Sequence, residues 1–258
     1  MNILELQEVT MRFGGLVAVD NVTFQVPQET IFGIIGPNGS GKTTLFNVIT
    51  GIYRAAAGQI KLFGENIVGL ESEDITARGI ARTFQTPRLF NELSIIDNLL
   101  VGMHLEREKS IFADLLGGKM AKQRLEKYIG EALDLLSILD KDLVTKITGL
   151  VKDLNPIQSR RVEIIRALAS HPKLLLLDEP SAGMNPGETD QLMEDIAHIR
   201  KQKKEISIVI IEHDMRVIKN ITKNVIVLNF GKKIAEGAFI DLAKNSEVRE
   251  AYLGKEAV

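Results

Sequence analysis

Residues 31–49, IFGIIGPNGSGKTTLFNVI, constrain this chain more than any other stretch. The apolar run Ile31 to Ile35 reads as a short buried strand. A glycine-rich loop follows, and Thr43 to Ile49 has helical spacing with Gly51 as a stop. The loop, Gly36-Pro37-Asn38-Gly39-Ser40-Gly41-Lys42-Thr43-Thr44, fits the phosphate-binding pattern G-x-x-x-x-G-K-[ST]. Its glycines let the backbone fold tightly, so that amide N–H groups surround phosphate oxygens. Lys42 supplies a point charge for β- and γ-phosphates, and Thr43 a hydroxyl for Mg²⁺. Strand, loop and helix start together aim a helix dipole and free amides at an anion.

The rest of the chain must house that unit. A chain of 258 residues buries a large core and is expected to form one domain with an elaboration. Net charge is −2 with the two signs well mixed, so no basic surface for nucleic acid is implied. Without cysteine there are no disulfides, which fits a reducing cytosol. The first residues, MNILELQEVT, show no basic segment followed by an apolar core, so no signal peptide is expected. Apolar runs such as Ile206 to Ile211 are too short to span a bilayer, and any membrane role is expected to come through a partner.

Residues 3–35 alternate apolar and polar positions and predict a mostly antiparallel sheet leading into the loop strand; residues 58–68 predict another hairpin. From about residue 92 to 153 strand signals vanish and helical periods dominate, as in Gln123 to Leu139, with a break at Gly117-Gly118. Leu174 to Leu177 and Ile206 to Ile211 predict buried parallel strands joined by a crossover helix over Glu188 to Lys201. Val225 to Asn229 and Lys233 to Gly237 predict a hairpin, followed by a helix to about Leu253. The sum is an α/β nucleotide-binding core with a helical insertion.

Further residues complete a candidate site. Leu174-Leu175-Leu176-Leu177-Asp178-Glu179 is an apolar strand ending in two carboxylates. The first suits Mg²⁺, directly or through water, and the second suits orienting or deprotonating an attacking water. Gln85 either touches Mg²⁺-bound water or the γ-phosphate, or is a plain surface residue. His213, at the carboxyl end of the second buried strand, can donate to the γ-phosphate or the attacking water. His104, His171 and His198 have no such setting and read as structural. Phe13 either stacks on adenine or belongs to the core.

In order along the chain, these pieces resemble the ATP-binding subunits of ABC transporters. GPNGSGKTT corresponds to Walker A, ARTFQ to the Q-loop, LLLLDEP to Walker B, SAGMNP to the D-loop and IIEHD to the switch histidine. More narrowly, Phe13 to Val19, Arg82 to Phe90, Ile211 to Met215 and Ala251 to Gly254 resemble the Liv-type branched-chain amino acid importers, with importers of urea and short amides close by. The resemblance implies a P-loop NTPase: a RecA-like core with an antiparallel β subdomain, an inserted α-helical subdomain at about 92–158 and a helical tail at about 239–258. It implies ATP and Mg²⁺ as ligands, with Gly36 to Thr44 and Phe13 holding ATP and Thr43, Gln85 and Asp178 around the metal. Glu179, His213 and Gln85 serve catalysis in that comparison. Partners implied are two transmembrane permeases, a second ATP-binding subunit and, indirectly, a solute-binding protein. The chain would then sit peripherally on the cytoplasmic membrane face, with a permease helix against Thr86 to Leu93.

One motif departs from the family. Where an LSGGQ-like signature, often L-[SP]-Y-G-Q, is expected, the chain has Leu154-Asn155-Pro156-Ile157-Gln158. Asn155 still suits a helix N-cap and Pro156 the first helical position. Ile157 replaces a glycine that would allow close approach of phosphate. Either the docking adjusts around the change, or this signature supports hydrolysis poorly. The second reading favours a heterodimer, in which the partner supplies an intact signature to this chain's ATP.

Overall fold

The computed structural model describes residues 1–103 and 119–253. In chain order the strands are β1 Asn2–Phe13, β2 Leu16–Pro27, β3 Ile31–Ile35, β4 Ala57–Leu62, β5 Glu65–Asn66, β6 Ile80–Arg82, β7 Leu174–Asp178, β8 Ser207–Glu212, β9 Asn224–Asn229 and β10 Lys232–Gly237. The described helices are α1 Lys42–Ile49, α2 Ser72–Ala77, α3 Ile95–Gly102, α4 Lys119–Leu139, α5 Lys141–Thr145, α6 Pro156–Leu168, α7 Pro186–Gln202, α8 Met215–Ile221, α9 Phe239–Leu242 and α10 Ser246–Leu253.

Two compact units divide these elements. The first comprises Met1–Arg82, Lys173–Pro180 and the described part of Lys203–Val258. It holds an antiparallel sheet of order β2-β1-β4-β5 and a second sheet of order β10-β9-β3-β8-β7-β6. In the second sheet β9, β3, β8, β7 and β6 run parallel, and β10 closes the edge antiparallel to β9. Every residue of β3, β7 and β8 is buried, as expected of parallel strands covered on both faces. One core joins both sheets: Leu45, Phe46, Val48 and Ile49 of α1 pack with Leu4, Leu6 and Val22 and with Ile34, Leu176 and Val209. That packing fixes the start of α1 at the carboxyl ends of β3 and β7.

The second unit comprises Ser181–Gln202 and the described part of Thr83–Pro172, and it is helical. Its core is built from apolar faces of α3 to α7, including Ile95, Leu99, Leu136, Ile157, Ile165 and Ile196. Arg161 ties three elements: it donates to Asp140, the N-cap of α5, and to Asp195 of α7, both at 2.7 Å. Residues 91–96 run beside 147–152 through backbone bonds such as Ile95 N to Gly149 O.

Three elements are not legible in the sequence pattern. β6 has three residues, too few to show a period, and α2 and α8 are each under two and a half turns. The predicted single tail helix is two helices, α9 and α10, with Asn245 starting α10 through bonds from Glu247 N and Val248 N. The predicted break at Gly117-Gly118, His104 and Gly254 lie outside the described residues.

Candidate functional site

The loop Gly36 to Gly41 is wedged between β2 and β9. A Cβ on Gly36 would sit 2.2 Å from Leu228 O, and one on Gly41 2.5 Å from Ala18 O. Gly41 also has φ 101°, a region that L side chains avoid. It is the N-cap of α1 and, being glycine, offers no side-chain cap, so the first amides of α1 stay available to an anion. Inside the loop the Lys42 ammonium donates to Gly36 O at 2.8 Å and Pro37 O at 3.0 Å. Burial pushes its pKa below that of a free lysine, while Glu179, Asp178 and Glu212 pull the other way. Ser40 Oγ is buried and has no hydrogen-bond partner among the described residues.

The end of β7 meets the start of α1. Asp178 Oδ1 lies 3.4 Å from Thr43 Oγ1, and Glu179 Oε1 lies 3.9 Å from Lys42 Nζ. Consecutive strand residues point to opposite faces. Glu179 departs from the strand with φ 45°, which lets both carboxylates reach the same helix start. Its amide is held by Ile211 O at 3.0 Å. His213, half exposed, places Nδ1 3.7 Å from Glu179 Oε2 and 3.8 Å from Glu212 Oε2.

Behind this cluster stands Arg82, at the end of β6. Its guanidinium donates to Asp178 Oδ2 at 2.7 Å, to Asn47 Oδ1 at 2.7 Å and to Thr50 Oγ1 at 3.2 Å. It lies over the Phe46 ring at 5.4 Å. Arg82 thus couples Asp178 to α1, a role that sequence spacing alone did not assign. The nearest signal was a charged residue closing the short apolar run Ile80-Ala81.

This donor set fits phosphate and a hard cation. Thr43 and Asp178 supply two neighbouring oxygens, while Ser40 Oγ and the open end of α1 supply donors. Mg²⁺ is commonly held by one or two such groups together with water and substrate phosphate. Among the described residues no cluster of three His, Cys, Asp or Glu forms a cage for a metal on its own.

Phe13 ends β1, is 42% exposed and packs edge to face against Tyr53 with ring centroids 5.1 Å apart. Tyr252 of α10 lies beside the Gly36 backbone, and burial raises its hydroxyl pKa.

Gln85 and Leu154 to Gln158 belong to the second unit. Gln85 is exposed there, in a segment without helix or strand between β6 and α3. Asn155 is the N-cap of α6 and forms a capping box: its Oδ1 accepts from Gln158 N at 2.9 Å, and Gln158 Oε1 accepts from Asn155 N at 3.3 Å. Pro156 has no amide to offer, so of the first three helical residues only Ile157 keeps one outside the box. The Ile157 side chain is buried at 6% exposure, and this turn presents Asn155 and Pro156 to solvent.

Comparison with known proteins agrees with this construction. Residues 19–182 match the ABC transporter family model. The high-affinity branched-chain amino acid transport ATP-binding protein BraF of Pseudomonas aeruginosa is 38% identical over 259 residues, covering 98% of both chains. The corresponding LivG protein of Escherichia coli K12 is 37% identical over 253 residues, again covering 98% of each. Among solved structures, the ADP conformation of MJ1267, an ATP-binding cassette of an ABC transporter, superposes with a TM-score of 0.84 at 31% identity, covering 99% of this chain and 100% of that one. With the Gly36–Thr44 loop, the Asp178–Glu179 strand end and full-length similarity to such proteins, the chain belongs to the ATP-binding subunits of ABC transporters.

Proposed function

We propose that this chain is the ATP-hydrolysing subunit of an importer for branched-chain amino acids. The observation that carries the reading is the convergence of Lys42, Thr43, Asp178, Glu179 and His213 on the uncapped start of α1. The full-length similarity to branched-chain amino acid transport subunits supports the solute. In this reading residues of about 92–158 form the inserted helical subdomain of a single cassette. No described helix is long and apolar enough to cross a membrane. In this reading the chain works from the cytoplasmic face, bound to two permeases. A solute-binding protein would deliver substrate to those permeases.

In the proposed mechanism, the α1 amides and Ser40 receive the β- and γ-phosphates of ATP, and Lys42 exchanges its bonds to Gly36 O and Pro37 O for phosphate oxygens. Phe13 stacks on the adenine. Thr43 and Asp178 would hold Mg²⁺, which would neutralise charge developing on the phosphates, and Gln85 would keep the metal-side role that the family resemblance implies for it. Glu179 takes a proton from the water whose oxygen attacks the γ-phosphorus as the bond to the leaving ADP breaks. His213 donates to the γ-phosphate and orients Glu179 from the opposite side.

A heterodimer is the favoured assembly. The capping box of α6 occupies the amides of Asn155 and Gln158 and Pro156 has none, so only the Ile157 amide is left to face the partner's ATP, and a second subunit with a glycine-bearing signature would complete the active site on this chain. A Glu179→Gln variant, assembled with its permeases in proteoliposomes, tests the reading. Hydrolysis should fall roughly 10²- to 10⁴-fold, with ATP still bound and ATP-loaded dimers accumulating. Leucine uptake should fall in step. Negligible hydrolysis in parent and variant alike, with no build-up of ATP-loaded dimers, would point to a nucleotide-sensing regulator, and uptake of urea or a short amide in place of leucine would reassign the solute.

A further inference from the structure

Residues 83–93 form no helix or strand, so their backbone groups need partners from elsewhere. For Phe84, Gln85, Arg88 and Phe90, three buried polar side chains supply partners. Arg160 of α6, 1% exposed, donates from Nη1 to Phe84 O at 2.6 Å and from Nη2 to Gln85 O at 2.7 Å. Glu163, one turn further along α6 and 2% exposed, accepts with Oε1 from Phe84 N at 3.4 Å and Arg88 N at 3.2 Å. The two are themselves paired, Nη1 to Oε2 at 2.6 Å. Asn98 of α3, fully buried, accepts from Phe90 N at 2.9 Å and donates to Phe90 O at 3.1 Å.

Two charges buried in a helix face are a costly way to fill space, and apolar residues of similar volume commonly serve as well or better. What apolar residues cannot do is fork to two consecutive carbonyls and accept from two amides. The pair is therefore explained by the segment it grips. Burial pushes the Glu163 carboxyl pKa up, against the pull of Arg160 and the two amides.

We infer that Arg160 and Glu163, with Asn98, are positioning residues that fix the path of residues 84–90 and make the Gln85 segment move as one piece with the helix that begins at the signature turn. Phe90, held by both backbone groups while its side chain stays 52% exposed, would transmit load on that surface to α6. The inference rests on the proposed ATPase reading only for its effect on turnover. The grip itself is independent of it.

The test uses the full chain carrying Arg160→Met and Glu163→Leu together, which removes the grip and both charges of the pair at once. Amide hydrogen exchange at Phe84 and Arg88 should accelerate about tenfold or more while exchange in Gly36 to Thr44 is unchanged. ATP affinity should stay within about twofold, and kcat in the assembled complex should fall to the level of Gln85→Ala at constant KM, with no further fall when the changes are combined. If the double variant does not fold, Glu163→Met, which removes the acceptor of both amides, should show the faster exchange at Phe84 and Arg88 by itself. Unaltered protection at Phe84 and Arg88, or a kcat loss that multiplies with that of Gln85→Ala, would overturn the inference. Faster exchange in a chain that hydrolyses no ATP would uphold the grip and count against the ATPase reading instead.

Discussion

α1 opens on Gly41, which has no side chain to cap with, whereas α6 opens on Asn155, whose side-chain Oδ1 takes the amide of Gln158. α7 opens the same way as α6, since Asn185 Oδ1 accepts from Glu188 N at 3.0 Å and Glu188 Oε2 accepts from Asn185 N at 3.1 Å. Asn155-Pro156-Ile157-Gln158 and Asn185-Pro186-Gly187-Glu188 are thus two copies of one self-sufficient helix start. An available anion site therefore depends on what surrounds it. A capped helix is complete in itself, while an uncapped one must be held by other parts of the fold. Around α1 that support is Lys42 on the loop carbonyls, Gly231 N on Ser40 O, and the Arg82 network on Asn47, Thr50 and Asp178.

The largest effect should come from removing that support. Arg82→Met strands a buried Asp178 and the acceptors Asn47 of α1 and Thr50 just past its end, and should cost about 3–5 kcal/mol of stability by urea denaturation. Mg²⁺ with ATP should recover part of the loss, because a cation then faces Asp178. A variant as stable as the parent would show that α1 needs no such prop. Next in size, Lys42→Ala removes one charge from the open end and should weaken ATP binding about hundredfold in titration calorimetry, equivalent to roughly 3 kcal/mol.

The open end was readable in the sequence because strand, glycines, lysine and helix are contiguous there. The acid pair was readable because an apolar strand ends on it. Arg82 was not, since its carboxylate partner is 96 positions away and an arginine after two apolar residues looks like any strand end. Arg160 and Glu163 were hidden for the same reason: their partners lie 75 to 79 positions upstream, and a charged helix pair three apart reads as a solvated face. The altered signature was legible as letters, with Ile157 expected to bar phosphate. Its side chain is instead buried, and the physical change is the capping box plus the missing proline amide.

That finding redirects the attempt to open α6. Ile157→Gly would leave a cavity costing several kcal/mol, on the order of 2–5 as for other buried aliphatic truncations. Asn155→Ser with Pro156→Gly instead restores a hydroxyl and an amide for about 1 kcal/mol of helix stability. ATPase activity of the chain paired with itself should rise several-fold, about threefold to tenfold for one added donor bond. The rate with an intact-signature partner should change less, because the productive site on this chain already uses the partner's helix. Equal rates before and after in the self-paired assembly would mean that α6 serves phosphate as well with its box closed.

The smallest effect lies behind that same helix. Burial holds the Glu163 carboxyl above its ordinary pKa of 4.5, so the folded chain binds this proton more tightly than the unfolded one. Stability contributed by the proton is fully present below the unfolded value and is lost as pH rises through the higher folded value. A chain with Arg160→Met and Glu163→Leu has no such proton to lose. Its melting temperature should therefore gain on that of the parent between pH 4.5 and the folded pKa, and the difference should flatten above it. A variant that instead loses ground to the parent as pH rises would mean that Arg160 and the two loop amides outweigh burial, making the pair a net stabiliser of α6 as well as the grip on Gln85.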